Sequence, residues 1–369
     1  MASEFMNILT IILLILIIFS LTFLIYRKFS KKDQNKQNNE SSYQKLKNNP
    51  PALINSLFAN GISRKVGEIN IDSFYLTLLD LINKNYVSIK LITKKDKKHG
   101  EKNTLGIFES GKDNSKSGLN SYKTLDKIIL KINNHSTKNL HPFEKNILRC
   151  IHSLESNGNI DLLNIKKAIS KRLKVNTFQK NYDAWMKNFH EEYFKSSEIK
   201  YFDNKFAEIF KVYGLALIII FIFTSILSYL ETSYLNIILS FFIAIIGIYL
   251  LVIPYKNLVN WTKEGKELKT EYELFKNYYN NELKTSNNSK EFLEEGIKQL
   301  PYLVGVGISK ATLVNNFSES KDTTDTYLFL KYNTDSLIKE IVKEFLAADG
   351  SFDPKYYNNS GNFVPGFGL

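Results

Sequence analysis

The sequence predicts a mainly α membrane protein: three transmembrane helices carrying α-rich cytoplasmic domains of winged-helix-like character. Three observations predict it. Residues 212–253 hold two apolar runs, VYGLALIIIFIFTSILSYL and YLNIILSFFIAIIGIYLLVI, parted only by Glu231, Thr232 and Ser233. Residues 8–26 form a third run of similar length. The remaining chain is polar and lysine-rich, with apolar side chains recurring at helical spacing.

None of the three runs contains Asp, Glu, Lys, Arg or His. Each is about 20 residues long, enough for a helix to cross a hydrocarbon core ~30 Å thick. Three residues cannot carry the chain on an excursion, so 212–230 and 234–253 read as a hairpin of spans. The polar parts before and after it then lie on one side of the membrane. Charged groups inside a bilayer mark ion or substrate pathways, and their absence from these runs argues against a transporter or proton channel. Ser225, Ser228, Ser240 and Gly247 read as helix-packing contacts.

The first run has no lysine or arginine before it, and Arg27, Lys28, Lys31 and Lys32 follow at once. The positive-inside bias places the N-terminus outside and the bulk of the chain in the cytoplasm. The hairpin agrees independently: its loop carries only Glu231, while Lys211 precedes it and Lys256, Lys263 and Lys266 follow. Residues 1–7 are a short extracytoplasmic end, of which 1–5 (MASEF) read as an expression leader ahead of Met6. Residues 27–49 are polar without periodicity and read as a flexible linker.

The first cytoplasmic unit spans 50–108. Pro50 and Pro51 stop the linker, Asp72 is placed to cap SFYLTLLDLINKN, and YVSIKLI at 86–92 alternates as a half-buried strand. Residues 105–108 are expected to return as its partner. A helix followed by a β-hairpin is the closing pattern of a winged helix. Its tip carries Lys94, Lys95, Lys97 and Lys98, a candidate phosphate contact or a solvated turn. Residues 109–139 read as a linker containing a short amphipathic helix at 125–132.

A second unit, 140–211, begins with a helix that has Pro142 in its first turn, followed by LLNIKKAISKRLK capped by Asp161 and a helix lined by Tyr182, Trp185 and Phe189. Three helices of this length resemble a helix-turn-helix unit. Lys166, Lys167, Lys171, Arg172 and Lys174 make the middle helix basic, and the first four form, with the Lys94–Lys98 tip, the candidate basic contact surface. After the hairpin, 254–348 is a helical unit: Leu268, Tyr272, Phe275 and Tyr279 mark a buried face, and LPYLVGVGI is too short to span. It packs either on the polar domain or at the membrane interface. Residues 349–369 are turn-rich and expected to be disordered.

Several segments taken in order, namely PPAL at 50–53, LTLLDLINKNYVSI, LHPFEKNIL, the paired spans, WTKEGKELKTEYELFKNYYNNEL and EEGIKQLPYLVGVGIS, resemble the predicted membrane proteins of domain of unknown function 2207, also called YciQ-like. The resemblance covers about 50–308. Members usually carry a β-rich extracytoplasmic domain before the first span, and only residues 1–7 precede it here. The resemblance implies a membrane architecture and supplies no activity, catalytic residue or cofactor.

The formal net charge is +12. Its lysines are scattered among Asn and Ile, as compositional bias would scatter them; attraction to an anionic membrane face or to nucleic acid are the functional alternatives. The one cysteine, Cys150, sits on an apolar helical face and reads as a core residue. His99, His135, His141, His152 and His190 show no metal-ligand spacing, and no P-loop, GxSxG or dinucleotide loop occurs. No enzyme and no cofactor is therefore expected. The sequence reads as a non-enzymatic scaffold or regulator that presents its cytoplasmic domains to a protein partner, with membrane-tethered nucleic-acid binding as the alternative.

Overall fold

The computed structural model describes residues 2–30, 44–59, 64–93, 122–155, 159–165, 172–194, 200–284, 290–318 and 324–348. In chain order the helices are α1 (Ala2–Ser30), α2 (Gln44–Lys47), α3 (Pro51–Phe58), α4 (Ile71–Asn83), α5 (Pro142–Ser153), α6 (Arg172–Tyr193), α7 (Lys205–Leu230), α8 (Tyr234–Val252), α9 (Lys263–Glu282), α10 (Lys290–Lys298), α11 (Leu300–Gly305), α12 (Lys310–Phe317), α13 (Asp325–Lys331) and α14 (Thr334–Ala347). The strands are β1 (Val87–Thr93), β2 (Leu125–Ile132), β3 (Ile160–Asp161), β4 (Phe202–Asp203) and β5 (Asn260–Trp261). Two compact units result. One comprises Met1–Ser42, Asn60–Val66 and Tyr201–Gly265; the other comprises Tyr43–Ala59, Gly67–Lys200 and Lys266–Leu369.

In the first unit, α7 and α8 are long and apolar enough to cross a membrane, and only 22% and 33% of their most apolar windows are buried. A core helix of a soluble protein would hide most of that surface. The two backbones approach where side chains vanish: a Cβ on Gly247 would stand 2.9 Å from the carbonyl oxygen of Gly214. Between them the Thr224 and Ser240 hydroxyls share a hydrogen bond of 2.7 Å, the pairing that small and hydroxylated residues give in lipid. Thr232 takes φ +52° in the tight turn. At the other end Lys211 Nζ donates to the carbonyls of Leu251 and, at 2.6 Å, Ile253. A cation there satisfies the orphan acceptors of the α8 C-terminus.

Helix α1 lies against this hairpin, and its apolar stretch Met6–Thr22 exposes Ile11, Ile15 and Phe19. Asn236 on α8 is fully buried: its Nδ2 donates to the Met6 carbonyl and its Oδ1 accepts from Thr10 Oγ1 at 2.7 Å. Ser20 and Tyr213 share a second polar contact of 2.9 Å. At the hairpin base β4 pairs antiparallel with β5, setting Phe202 opposite Trp261.

The second unit is built on an aromatic core. Phe74 of α4 packs against Tyr182 and Trp185 of α6 at ring separations of 5.5 and 5.4 Å, and Phe143 of α5 meets Phe189 at 5.0 Å. The expected face of α6 is thus the buried one. The cap of α4 is Asn70 rather than Asp72: Asn70 Oδ1 accepts from Ser73 N–H in a capping box, and Asp72 sits inside the first turn, ion-paired with Lys339 of α14. Helix α5 begins at Pro142 as expected.

The stretch 125–132, expected as a short amphipathic helix, is strand β2. It pairs antiparallel with β1 over Val87↔Ile132 to Ile92↔Lys127, and β3 adds to its other edge. Its residues LDKIILKI satisfy both periods; the β-branched isoleucines and the waiting edge of β1 decide for the strand. The expected partner at 105–108 lies outside the described residues. On the far edge of β1, the Ile89 N–H donates to Asp325 Oδ2 at 2.8 Å, so α13 covers an edge that would otherwise be open.

LPYLVGVGI packs on the polar domain. Its helix α11 lies against α3 and α4, and a Cβ on Gly305 would stand 3.0 Å from the Pro51 carbonyl oxygen. Close helix packing, and not a phosphate loop, is what that glycine serves.

Candidate functional site

Several of the segments that carry the family resemblance meet around one partly buried ion cluster. Lys84, at the C-terminus of α4, reaches Asp80 Oδ2 one turn back at 2.7 Å and Glu144 Oε1 of α5 at 2.8 Å. Both carboxylates are almost wholly enclosed. Glu144 is held twice, since its Oε2 accepts from the His141 N–H and completes the capping box of α5. Tyr302 of α11 donates to the carbonyls of Lys47 and Asn49 at 2.9 and 3.0 Å. Asn55 Nδ2 donates to the Gly305 carbonyl, and Asn83 Nδ2 to that of Lys298. Glu271 of α9 accepts from the Leu46 N–H at 2.9 Å, and the Tyr272 hydroxyl donates to Val306. The residues flanking PPAL (Leu46 to Asn49, and Asn55), LTLLDLINKN, LHPFEKN, the long helix and LPYLVG are therefore one polar knot, though more than 200 residues separate some of them.

The electrostatics follow from burial. One ammonium stands against two carboxylates. Burial alone would pull the Lys84 pKa down, but Asp80 and Glu144 more than offset it and hold the ammonium well above its usual range. Asp80 is pushed up, first by burial and further by Glu144, which together outweigh Lys84. Burial and the Asp80 charge lift Tyr302 far above the ordinary phenol value. Tyr272 rises to about 12, through burial and then Glu273. Such groups tie segments together; a lysine kept protonated is no nucleophile or base. Cys150 is similar: fully buried, its thiol is pushed up by burial and then by Asp183, away from the reactive thiolate.

These shifts share one sign. Lys84, Tyr272 and Tyr302 all bind their protons more tightly folded than unfolded, so the native state carries the extra protons and stability falls as pH rises. Their contribution is whole below about pH 10, near the unfolded values of tyrosine and lysine, and is lost progressively above it. Unfolding followed by circular dichroism should show a steep alkaline loss from about pH 10, made shallower by Lys84→Met. Undiminished stability to pH 12 would contradict the assignment.

Of the candidate basic surface, Lys94, Lys95, Lys97, Lys98, Lys166, Lys167 and Lys171 lie outside the described residues, and Arg172 opens α6 with its side chain outside them. Asp161, expected to cap LLNIKKAISKRLK, accepts from the Leu163 N–H at 3.1 Å at the start of a 3-10 turn over Leu162–Asn164, and 166–171 of that stretch lie outside the described residues. Glu192 of α6 reaches Nδ1 of His141, the N-cap of α5, at 2.6 Å. Among the described residues no group of three His, Cys, Asp or Glu is placed to hold a metal ion. Sequence reasoning missed the knot because its members are ordinary residue types at no diagnostic spacing. It missed Lys127 and Lys131 as sheet residues because β2 was read as helix.

Residues 43–311 match a family model described as "Predicted membrane protein (DUF2207) C-terminal domain". The match takes in the helical hairpin and every member of the knot. No curated protein and no solved structure matches the chain.

Proposed function

This chain belongs to the family of predicted membrane proteins of domain of unknown function 2207, and from that premise we propose that it is a three-span anchor for a docking platform, a non-enzymatic scaffold or regulator. The N-terminus lies outside and the large polar unit in the cytoplasm. The third span is α1. Its outward isoleucines and phenylalanine match those of α7 and α8, and its inward polar groups meet Asn236 and Tyr213. Lipid on one side and buried hydrogen bonds on the other suit a spanning helix.

The observation that carries the scaffold reading is the knot. Its ionisable groups are committed to one another and to backbone N–H and carbonyl groups, so the motifs of the domain go into rigidity. The course of the chain from α4 into an antiparallel sheet supports winged-helix-like modules, which present helices and a wing to other macromolecules. Photo-crosslinking from exposed positions of α5, α6 and α9 in native membranes tests this. The same protein adduct should recur and be competed by the unlabelled chain. Saturating crosslinking with no recurrent adduct, or turnover of a small molecule by the purified chain, would overturn it.

A further inference from the structure

We propose that the face of the three-stranded sheet that carries Lys90, Lys127 and Lys131 is a contact surface for anionic lipid headgroups. The register of the sheet builds it. Val87 of β1 and Ile128 and Leu130 of β2 are buried on one face, with Ile89, Leu91 and Ile132 half-buried beside them. The opposite face therefore carries Ser88, Lys90 and Ile92 across from Lys131, Ile129 and Lys127. Lys90, Lys127 and Lys131 are exposed, and none of the three makes an ion pair among the described residues. Among the described residues the one acid in register with them is Asp161, opposite Ile129, and its carboxylate is engaged by the Leu163 N–H and the Asn164 amide. Three lysines thus surround two half-buried isoleucines at positions set by the strand pairing. In sequence Lys90 lies 37 and 41 residues from the other two, so the strand pairing assembles the patch.

Charge complementarity requires a polyanion, and two properties select lipid over nucleic acid. Sheets that bind single strands stack bases on aromatic rings, and this face offers Ile92, Ile129 and Ser88 instead. Lysines around aliphatic side chains fit a headgroup layer, where the charge meets phosphate and the aliphatic groups meet the acyl boundary. The chain is also tethered to a membrane, which keeps headgroups at high effective concentration. Near an anionic leaflet each lysine is worth roughly fivefold in partitioning, on the order of a hundredfold for three. The inference uses the membrane anchorage of the chain and is independent of the scaffold reading.

The test is lysine footprinting of the full-length wild-type chain in nanodiscs. One set holds phosphatidylcholine alone and the other contains phosphatidylglycerol as well. A water-soluble acetylating reagent is applied and each lysine is read by mass spectrometry. Acetylation of Lys90, Lys127 and Lys131 should fall at least fivefold in the anionic discs and recover at 0.5 M salt. Lys187 and Lys290, exposed on helices, serve as references and should stay unchanged. Equal acetylation of the three in both discs would overturn the proposal. So would protection by added duplex DNA in neutral discs without protection by anionic lipid, which would assign the face to nucleic acid.

Discussion

Replacing Lys84 by methionine is expected to destabilise the polar unit by about 3 kcal/mol. The change leaves Asp80 and Glu144, with side chains only 6% and 2% exposed, facing each other without their common cation. Removing one partner of a buried ion pair costs roughly 3–5 kcal/mol, because the remaining charge stays desolvated. Lys84 itself is 44% exposed, so water screens part of its attraction, which places the effect at the lower end of that range. Denaturant titration of the purified protein in nanodiscs measures it. Adding Asp80→Asn and Glu144→Gln should recover more than half of the loss, since the stranded charges are then gone. A loss below 1 kcal/mol for Lys84→Met would mean that the knot does not hold the unit together.

Gly265→Ala should be nearly as damaging, against the ordinary preference of helices for alanine. Gly265 sits in the first turn of α9, where its N–H donates to Thr262 Oγ1 at 3.1 Å. A Cβ there would overlap the carbonyl oxygen of Tyr201 and stand 3.1 Å from Cε3 of Trp261. That carbonyl already accepts the Thr262 N–H at 3.0 Å, and the obstruction is backbone, which cannot rotate away. Alanine gains about 0.5–1 kcal/mol over glycine in a helix interior; overpacking costs roughly 1–3 kcal/mol or more. The clash should win by ~2 kcal/mol and part β4 from β5, visible as altered Trp261 fluorescence. A neutral or stabilised Gly265→Ala would show that this contact is loose.

What the sequence made legible was what depends on local pattern. The two long apolar runs, Pro142 opening α5, the buried face of α6 and the Leu268–Tyr279 face of α9 are each set by periodicity or chain stiffness, and each is found in place. The errors arose where distant residues decide. Strand β2 carries a pattern that either period accepts, and the edge of β1 resolves it. Asn70 rather than Asp72 caps α4, because Asp72 is drawn to Lys339 from the far end of the chain. The knot was invisible for the same reason. Asp80 and Lys84 look like an ordinary helix-surface pair until Glu144 and Tyr302 arrive from 60 and 218 residues away. The apolar LPYLVGVGI admitted either a membrane face or a domain face, and Gly305 against Pro51 decides for the domain.

The proposed three-span topology makes α1 a span in its own right. Single cysteines at Glu4, Thr232 and Lys290, introduced into a Cys150→Ser background, can be probed with a membrane-impermeant maleimide in intact cells. The account predicts that positions 4 and 232 label from outside, while position 290 labels only after permeabilisation. Labelling at 232 with protection at 4 would contradict it, reducing the anchor to the hairpin alone and leaving α1 on the side of the polar unit.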